Sequence, residues 1–545
     1  MQIQATIDIV TTQRAEVHRE VYGHFLESAF FGNIEGGVFD EGSEHAVTGQ
    51  GALDGCRADV IAACRELGLP VVRWPGGNFT SAYWWRDGTG PRDERPRRLE
   101  LAWGSEETNR FGTPEFLSWI EAVRTEDFPT AAYLHHSARS VEDAVRWVEY
   151  TNHAGSTELT ALRAADGHPS SFDVRWWGIG NEVYGPWQMG HRSAARYVED
   201  ARDHIQFMRQ VDPRLRFVAC GWERQEWTRE VISGLGDQVD AVSLHWYGLD
   251  HHLTEASAAE FEAIVSQSVH LEQTIAAYSD EIVDVAGRAQ LDSVPSIVLD
   301  EWNNRHMESV QLPEPVPAAD GGFEPHGTGA RGDRKRVNRH STRTLADALM
   351  YAGVFHAIHR AAGRDAPVTM ANAVNLISAN GILQVRPGGV LRTPVFHIWH
   401  LYQNLFQPFA VRADVTAPAT WRDLRRGAER QDATGHPRST VPTAVSLLDV
   451  SASVSADART LTLAVINRSA TAPLTARLSR EGGLPARAHV HDLGAEEAAD
   501  EKDLFRTTTL SDPDACALRD RGEVALEDGT YTFPAHSVTL LTFAL

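Results

Sequence analysis

Two glutamates carry the strongest chemical signal in this chain. Glu182 ends the segment Trp176-Trp177-Gly178-Ile179-Gly180-Asn181-Glu182, and Glu301 lies in Ser296-Ile297-Val298-Leu299-Asp300-Glu301-Trp302-Asn303. Both stretches read as short apolar strands that run out at a carboxylate. Two carboxylates at strand ends can cut a glycosidic bond without a cofactor, one as general acid and base, the other as nucleophile. Either segment alone says little, because an Asn-Glu dipeptide arises about once by chance in a chain of this size. Spacing adds the information. The glutamates are 119 residues apart, room for about three strand–helix units in an eight-unit barrel.

The other strand ends are polar as well. They supply Glu27, Arg73 with Asn78, Asn181, His245 with Tyr247, Trp302 and Asn372. Singly, each has an ordinary structural reading: Glu27 a rim ion pair, Asn181 a helix cap, Tyr247 core packing. Jointly they converge where a barrel keeps its site. The set has no Ser or Cys nucleophile with a His partner. It also has no His-x-x-x-His or His-Glu-x-x-His pattern, so a zinc hydrolase is not indicated.

The elements that must position these groups alternate from about residue 20 to 405. Strands are expected at Glu20–Glu27, Val71–Trp74, Thr130–Leu134, Val174–Ile179, Arg216–Cys220, Ala241–Trp246, Ile297–Leu299 and Val368–Val374. Helices are expected at Ala58–Leu67, Val141–Thr151, Ser193–Val211, Ala258–Ala286, Leu345–Ala361 and Val395–Phe406, where apolar residues recur on one face. Eight strands alternating with helices predict a (β/α)8 barrel over 19–408. Beyond it, period-two stretches such as Leu461-Thr462-Leu463-Ala464-Val465 predict an antiparallel β-sandwich over 409–545. Residues 1–18 alternate too and are expected to add a strand to that sandwich. The Pro- and Gly-rich stretch from Met307 to about Asn338 follows Glu301 directly. It reads either as a lid or subsite wall or as a plain mobile loop.

Composition narrows the partners. With 545 residues, 42% hydrophobic and 23% charged, the chain can bury a large core. A net charge of −23 disfavours nucleic acid and anionic membranes and favours a neutral substrate. Cys56, Cys64, Cys220 and Cys516 are scattered, which reads as free thiols in a reducing compartment. The N-terminus shows no signal-peptide pattern and no apolar run of spanning length appears, so a cytoplasmic protein is expected.

Ordered blocks give the chain a resemblance to glycoside hydrolase family 51, the retaining α-L-arabinofuranosidases of clan A. They are Val21–Glu27, Val71–Phe79, Tyr83, Asp87–Pro91, Trp103, Glu107–Gly112, Gly178–His191 and Asp300–Asn303. The resemblance implies Glu182 as acid/base, with a pKa raised by burial and a nearby carboxylate, and Glu301 as an ionised nucleophile. It implies that Arg73 and Tyr247 hydrogen-bond Glu301, with His245 in support. Asn181 is expected on the sugar 2-hydroxyl, and Glu27 and Asn78 on the other hydroxyls. Trp103 and Trp302 are expected as pocket walls. No metal or cofactor is implied; the expected partner is a neutral oligosaccharide, and a homo-oligomer is expected. The chain departs from the family pattern at Ser28, where a His is common, and at Asn372, where a Gln is common. Both departures leave the identity of the furanose open, a galactofuranoside or D-arabinofuranoside among the alternatives. A β-glucan hydrolase of the same clan and a non-catalytic sugar-binding protein are the other readings.

Overall fold

The computed structural model describes residues 3–28, 32–103, 105–223, 225–251, 257–306, 323–328, 334–338, 343–386, 388–424, 441–494 and 501–545. Eight parallel strands close into a barrel in chain order: β1 (Gly23–Phe25), β2 (Val71–Trp74), β3 (Ala131–His136), β4 (Trp176–Ile179), β5 (Arg216–Ala219), β6 (Ala241–His251), β7 (Ser296–His306) and β8 (Val368–Ala373). Glu182 follows β4 and Glu301 lies on β7, three units apart. Val71, Tyr133, Val218, Ala241, Val298 and Met370 pack together inside the barrel. This plug fills the barrel below the site, so the site sits at the C-terminal mouth.

Local chemistry sets the helix ends. Ser140 and Ser193 accept hydrogen bonds from backbone N–H groups in the first turns of Val141–Asn152 and Ala194–Val211. Gly68, at φ 74°, ends Ala58–Leu67 in a conformation that costs glycine little. Leu345–Ala361 is buried almost all round, as expected of a helix covered on both sides. It lies between the barrel and the second sheet.

That sheet has nine strands in the order Arg519–Ala525, Arg487–Leu493, Ser537–Ala544, Thr460–Asn467, Leu448–Val454, Phe409–Thr416, Ala5–Glu16, Leu474–Arg480 and Thr530–Phe533. Ala5–Glu16 pairs antiparallel with Phe409–Thr416 and parallel with Leu474–Arg480. The other pairings in the sheet are antiparallel.

Several expectations are corrected. The first strand is only Gly23–Phe25, preceded by a 3-10 turn at Arg19–Tyr22. Helices Thr113–Val123 and Gln225–Leu235 stand where none was expected. The expected helix Ala258–Ala286 is two, Ala258–Val265 and Gln267–Ala289, broken at Ser266. Within the stretch read as a loop, Phe323–Thr328 pairs antiparallel with Arg334–Asn338. The rest of 307–338 lies outside the described residues, so the lid reading does too.

Candidate active site

Strand geometry explains how β7 presents two acids at once. Alternation sends Val298 into the barrel and Leu299 toward the helices. Asp300 then faces inward, and Glu301 should face out. Instead the pairing with β6 slips by one residue, Leu299 opposing Leu244 and Glu301 opposing His245. Such a bulge re-aims the next side chain, and Glu301 joins Asp300 at the mouth. Trp302 consequently points outward.

Each carboxylate is held by named donors. Arg73 Nη1 donates to Glu301 Oε1 at 2.9 Å, and the Tyr247 hydroxyl donates to Oε2 at 2.7 Å. Arg73 Nη2 also donates to Asn181 Oδ1 at 2.6 Å, and Asn181 Nδ2 donates to Asn78 Oδ1 at 3.3 Å. A Cβ on Gly77 would stand 2.7 Å from Glu301 Oε1, so only glycine lets this backbone pass the carboxylate. Glu182 has φ 46°, a left-handed conformation that costs a non-glycine residue about 1 kcal/mol or more and gathers at functional sites. Its Oε2 accepts from Trp187 Nε1 at 3.0 Å, and its Oε1 lies 2.9 Å from His245 Nδ1. One oxygen of Glu182 and one of Glu301 lie within 4.8 Å of each other, with His245 Nδ1 3.6 Å from Glu301 Oε2.

The charges in this cluster are coupled. Burial opposes protonation of His245, but Glu301, Asp300 and Glu182 outweigh it and raise its pKa to about 10. Burial also pushes Glu182 up, yet His245, the Trp187 indole and Arg73 outweigh burial and pull it below the ordinary value. This corrects the expected raised acid: the proton sits on His245, one hydrogen bond away from Glu182. Asp300 is lowered to about 2, since Arg73, His245 and His135 overcome its burial. Burial, with help from Glu301 and Glu100, raises Glu27 to about 8 against donors from Phe79 N and Trp103 Nε1.

Glu182, His245 and Glu301 each offer a possible metal-binding atom within 4.8 Å. Their atoms are already matched to one another and to donors, with the Arg73 guanidinium as counter-charge. The arrangement suits proton transfer and nucleophilic attack more than a cation.

Nine of the eleven expected site residues meet here: Glu27, Arg73, Asn78, Trp103, Asn181, Glu182, His245, Tyr247 and Glu301. Two do not reach the pocket. Trp302 is fully buried, stacked on Trp399 at 5.8 Å and packed on Tyr351 at 4.6 Å. It fills the layer between barrel and helices, because the bulge sits one residue before it. Asn372 is also fully buried and donates to Asp300 Oδ1 at 3.2 Å. It therefore steadies an acid behind the site. Ser28 is likewise engaged away from the pocket, its Oγ accepting from Trp74 Nε1 at 2.9 Å.

Sequence reasoning missed Asp300, Trp187 and His135. Asp300 and Trp187 lie inside the quoted motifs, next to the residues that drew attention. His135 Nδ1 accepts from Arg73 Nε at 2.8 Å; it fell outside because the third strand was ended at Leu134. Gly178 makes room for it, since a Cβ there would lie 2.5 Å from the His135 ring.

Two family models match the chain: an alpha-L-arabinofuranosidase 1 domain over residues 63–263 and an alpha-L-arabinofuranosidase C-terminal domain over 300–537. An intracellular exo-α-(1→5)-L-arabinofuranosidase of Streptomyces lividans is 31% identical over 534 residues, 97% of this chain and 73% of that protein. An exo-α-(1→6)-L-arabinofuranosidase of Bifidobacterium longum is 30% identical over 529 residues, 95% of this chain and 92% of that one. Among solved structures, the GH51 α-L-arabinofuranosidase of Thermotoga petrophila RKU-1 superimposes with a TM-score of 0.78 at 28% identity, covering 99% of both chains. The chain belongs to the α-L-arabinofuranosidases of glycoside hydrolase family 51.

Proposed function

We propose that this chain is an exo-acting, retaining α-L-arabinofuranosidase that releases terminal non-reducing arabinofuranosyl units from arabino-oligosaccharides. The observation that carries the mechanism is the approach of Glu182 and Glu301 to within 4.8 Å, oxygen to oxygen. Retaining enzymes hold their carboxyl groups about 5–5.5 Å apart, whereas inverting enzymes leave room for a water at about 6.5–9.5 Å.

In the first step Glu301 attacks the anomeric carbon while the bond to the leaving oxygen breaks. Glu182 gives that oxygen its proton. The proton reaches Glu182 from His245: positive charge growing on the sugar cancels the field of Glu301 that held it on the imidazole. In the second step the Glu182 carboxylate takes a proton from water, whose oxygen attacks the anomeric carbon and breaks the ester to Glu301. Asn181, oriented by Arg73, serves the 2-hydroxyl, a contact that strengthens in the transition state. Asn78 binds another hydroxyl. Glu27, largely protonated at neutral pH with a value of about 8, offers a furanose oxygen an O–H donor. Trp103 forms a wall beside Glu27.

The names of the (1→5)- and (1→6)-acting relatives support exo-action on arabinofuranosides, and three relatives named intracellular support a cytoplasmic location. We assign a neutral oligosaccharide as substrate and a homo-oligomer as the working form. A panel of nitrophenyl furanosides and pyranosides, ranked by kcat/KM, tests the substrate. NMR of the first-formed sugar tests the stereochemistry. The α-L-arabinofuranoside should lead, with the α-anomer released first. A leading galactofuranoside or pyranoside overturns the substrate assignment, and initial β-anomer overturns retention.

A further inference from the structure

We propose that the outer strand pair of the C-terminal sheet carries a zinc-class metal site built from His489, His491 and Asp520. His489 and His491 lie two apart on Arg487–Leu493, so the strand's alternation puts both rings on one face. Their centroids are 4.8 Å apart, tilted by 31°. The neighbouring strand, Arg519–Ala525, lies at the edge of the sheet and sets Asp520 opposite His491 and Glu523 opposite His489. A one-residue slip between Val490 and His491 brings Asp520 across both rings.

The atoms converge. Asp520 Oδ1 is 2.7 Å from His489 Nε2, and Oδ2 is 3.9 Å from His491 Nε2. One donor atom from each residue lies within 4.8 Å of the others. Zinc bonds of about 2.0–2.2 Å in a tetrahedron place ligands about 3.3–3.6 Å apart, so rotamer adjustments of these side chains bring the set to bonding distance. Asp520 and His489 are at least partly open to solvent, which gives an ion a way in. His491 Nδ1 is buried and has no hydrogen-bond partner, leaving Nε2 as the nitrogen turned toward Asp520. Glu523 Oε1, 3.9 Å from His489 Nδ1, adds negative charge at the rim.

Two imidazoles and one carboxylate suit zinc or nickel, whereas magnesium and calcium take oxygen ligands and hold them in larger number. A net charge of −23 draws cations to the surface. The ion would tie the exposed edge strand to its neighbour. That edge otherwise presents unpaired backbone groups. The site lies on the sandwich, away from the barrel mouth, so its role is structural.

The test is zinc titration of the full, chelator-stripped protein by calorimetry, with thermal unfolding alongside. The Glu182–His245–Glu301 cluster could also take zinc, so both are run in wild type and in Glu182→Ala. We expect one equivalent that survives Glu182→Ala and disappears in His489→Gln/His491→Gln. Zinc should raise Tm by several degrees in wild type and leave the double variant unmoved, while turnover without zinc stays unchanged in that variant. Asp520→Asn, at an exposed position, gives the same reading should the double variant fold poorly. Unchanged stoichiometry in the double histidine variant and in Asp520→Asn, equal binding of magnesium, or no zinc-dependent Tm shift each overturns the proposal.

Discussion

The barrel mouth and the junction between barrel and sandwich both gather charge, and they balance it differently. At the junction between barrel and sandwich, Asp449 and Glu272 face Arg360 and Arg468. Arg360 Nη1 meets Asp449 at 2.7 Å, its Nη2 meets Glu272 at 2.6 Å, and Arg468 Nη2 pairs with the other oxygen of Asp449. Arg468 also donates to Val265 O at 3.2 Å and Ser268 Oγ at 3.0 Å, tying the sandwich to the barrel's helices. Two carboxylates meet two guanidiniums. At the barrel mouth, Glu182, Asp300 and Glu301 meet one guanidinium, Arg73, and one imidazole, His245. The junction is neutral without help. The mouth keeps one surplus negative charge even while His245 holds a proton, and that proton is the one the reaction needs.

The sharpest way to break this contrast is to remove one acid from each cluster. Glu301→Ala should lower kcat by at least about ten-thousandfold, as loss of a nucleophile does, yet leave Tm nearly unchanged. Arg73 keeps Asp300 as its partner, and the mouth loses surplus negative charge. Asp449→Ala should do the reverse. Stripping one partner from a buried ion pair costs about 3–5 kcal/mol, so Tm falls while kcat/KM below the transition holds. Steady-state kinetics and thermal unfolding on both variants decide it; a matched loss of stability at the two sites would erase the distinction.

Next is the division of labour inside the mouth. General acid catalysis contributes about 10²–10⁴-fold, so Glu182→Ala should lose that much on substrates with poor leaving groups and much less on nitrophenyl glycosides. Azide should restore part of the second step. An equal loss on every substrate would show that the two glutamates share one role.

Trp302 gives a smaller effect of the same kind. Truncating a buried tryptophan costs about 3–5 kcal/mol, so Trp302→Ala should lower Tm with KM unchanged, while Trp103→Ala should raise KM with little loss of Tm. If Trp302→Ala raised KM as much, the outward placement would be wrong.

The two tryptophans also show what could be read from the chain. Strand and helix periodicity carries the barrel, because a chain that must bury one face of each element repeats at 2.0 or 3.6 residues. Polar residues at strand ends then mark the mouth. Trp302 was misplaced because a bulge is a pairing event: it depends on the Leu244–His245 stretch of β6, more than fifty residues away, and leaves no local mark. Asn372 was misplaced because its hydrogen bond goes to Asp300, a residue of a distant strand that faces into the barrel behind the site. Ser28 and Asn372 looked like altered sugar contacts, but their hydrogen bonds go to Trp74 and Asp300, so neither decides which furanose fits. Helix Gln225–Leu235 was missed because the expected elements ran from strand β5 to β6 without one. The junction cluster was wholly illegible, as its members come from two helices, a strand and a loop and have no shared motif.

The least dramatic prediction separates the clusters most cleanly, because it turns on sign. His245 is raised from 6.5 to about 10 by the acids around it, against its burial. The stability it contributes is full below 6.5 and drains as pH rises toward 10. His356, 3.3 Å from Asp449, is held below 6.5 by burial, which outweighs Asp449 because Arg360 and Arg468 offset that charge. Its contribution is present above 6.5 and drains as pH falls below it. Glutamine cannot titrate at either position. His245→Gln should therefore be most destabilised at low pH and recover relative to wild type as pH rises, whereas His356→Gln should gain on wild type as pH falls. Denaturant unfolding of the three proteins across the neutral range measures both slopes, and slopes of the same sign would mean that both histidines sit in the same kind of charge balance.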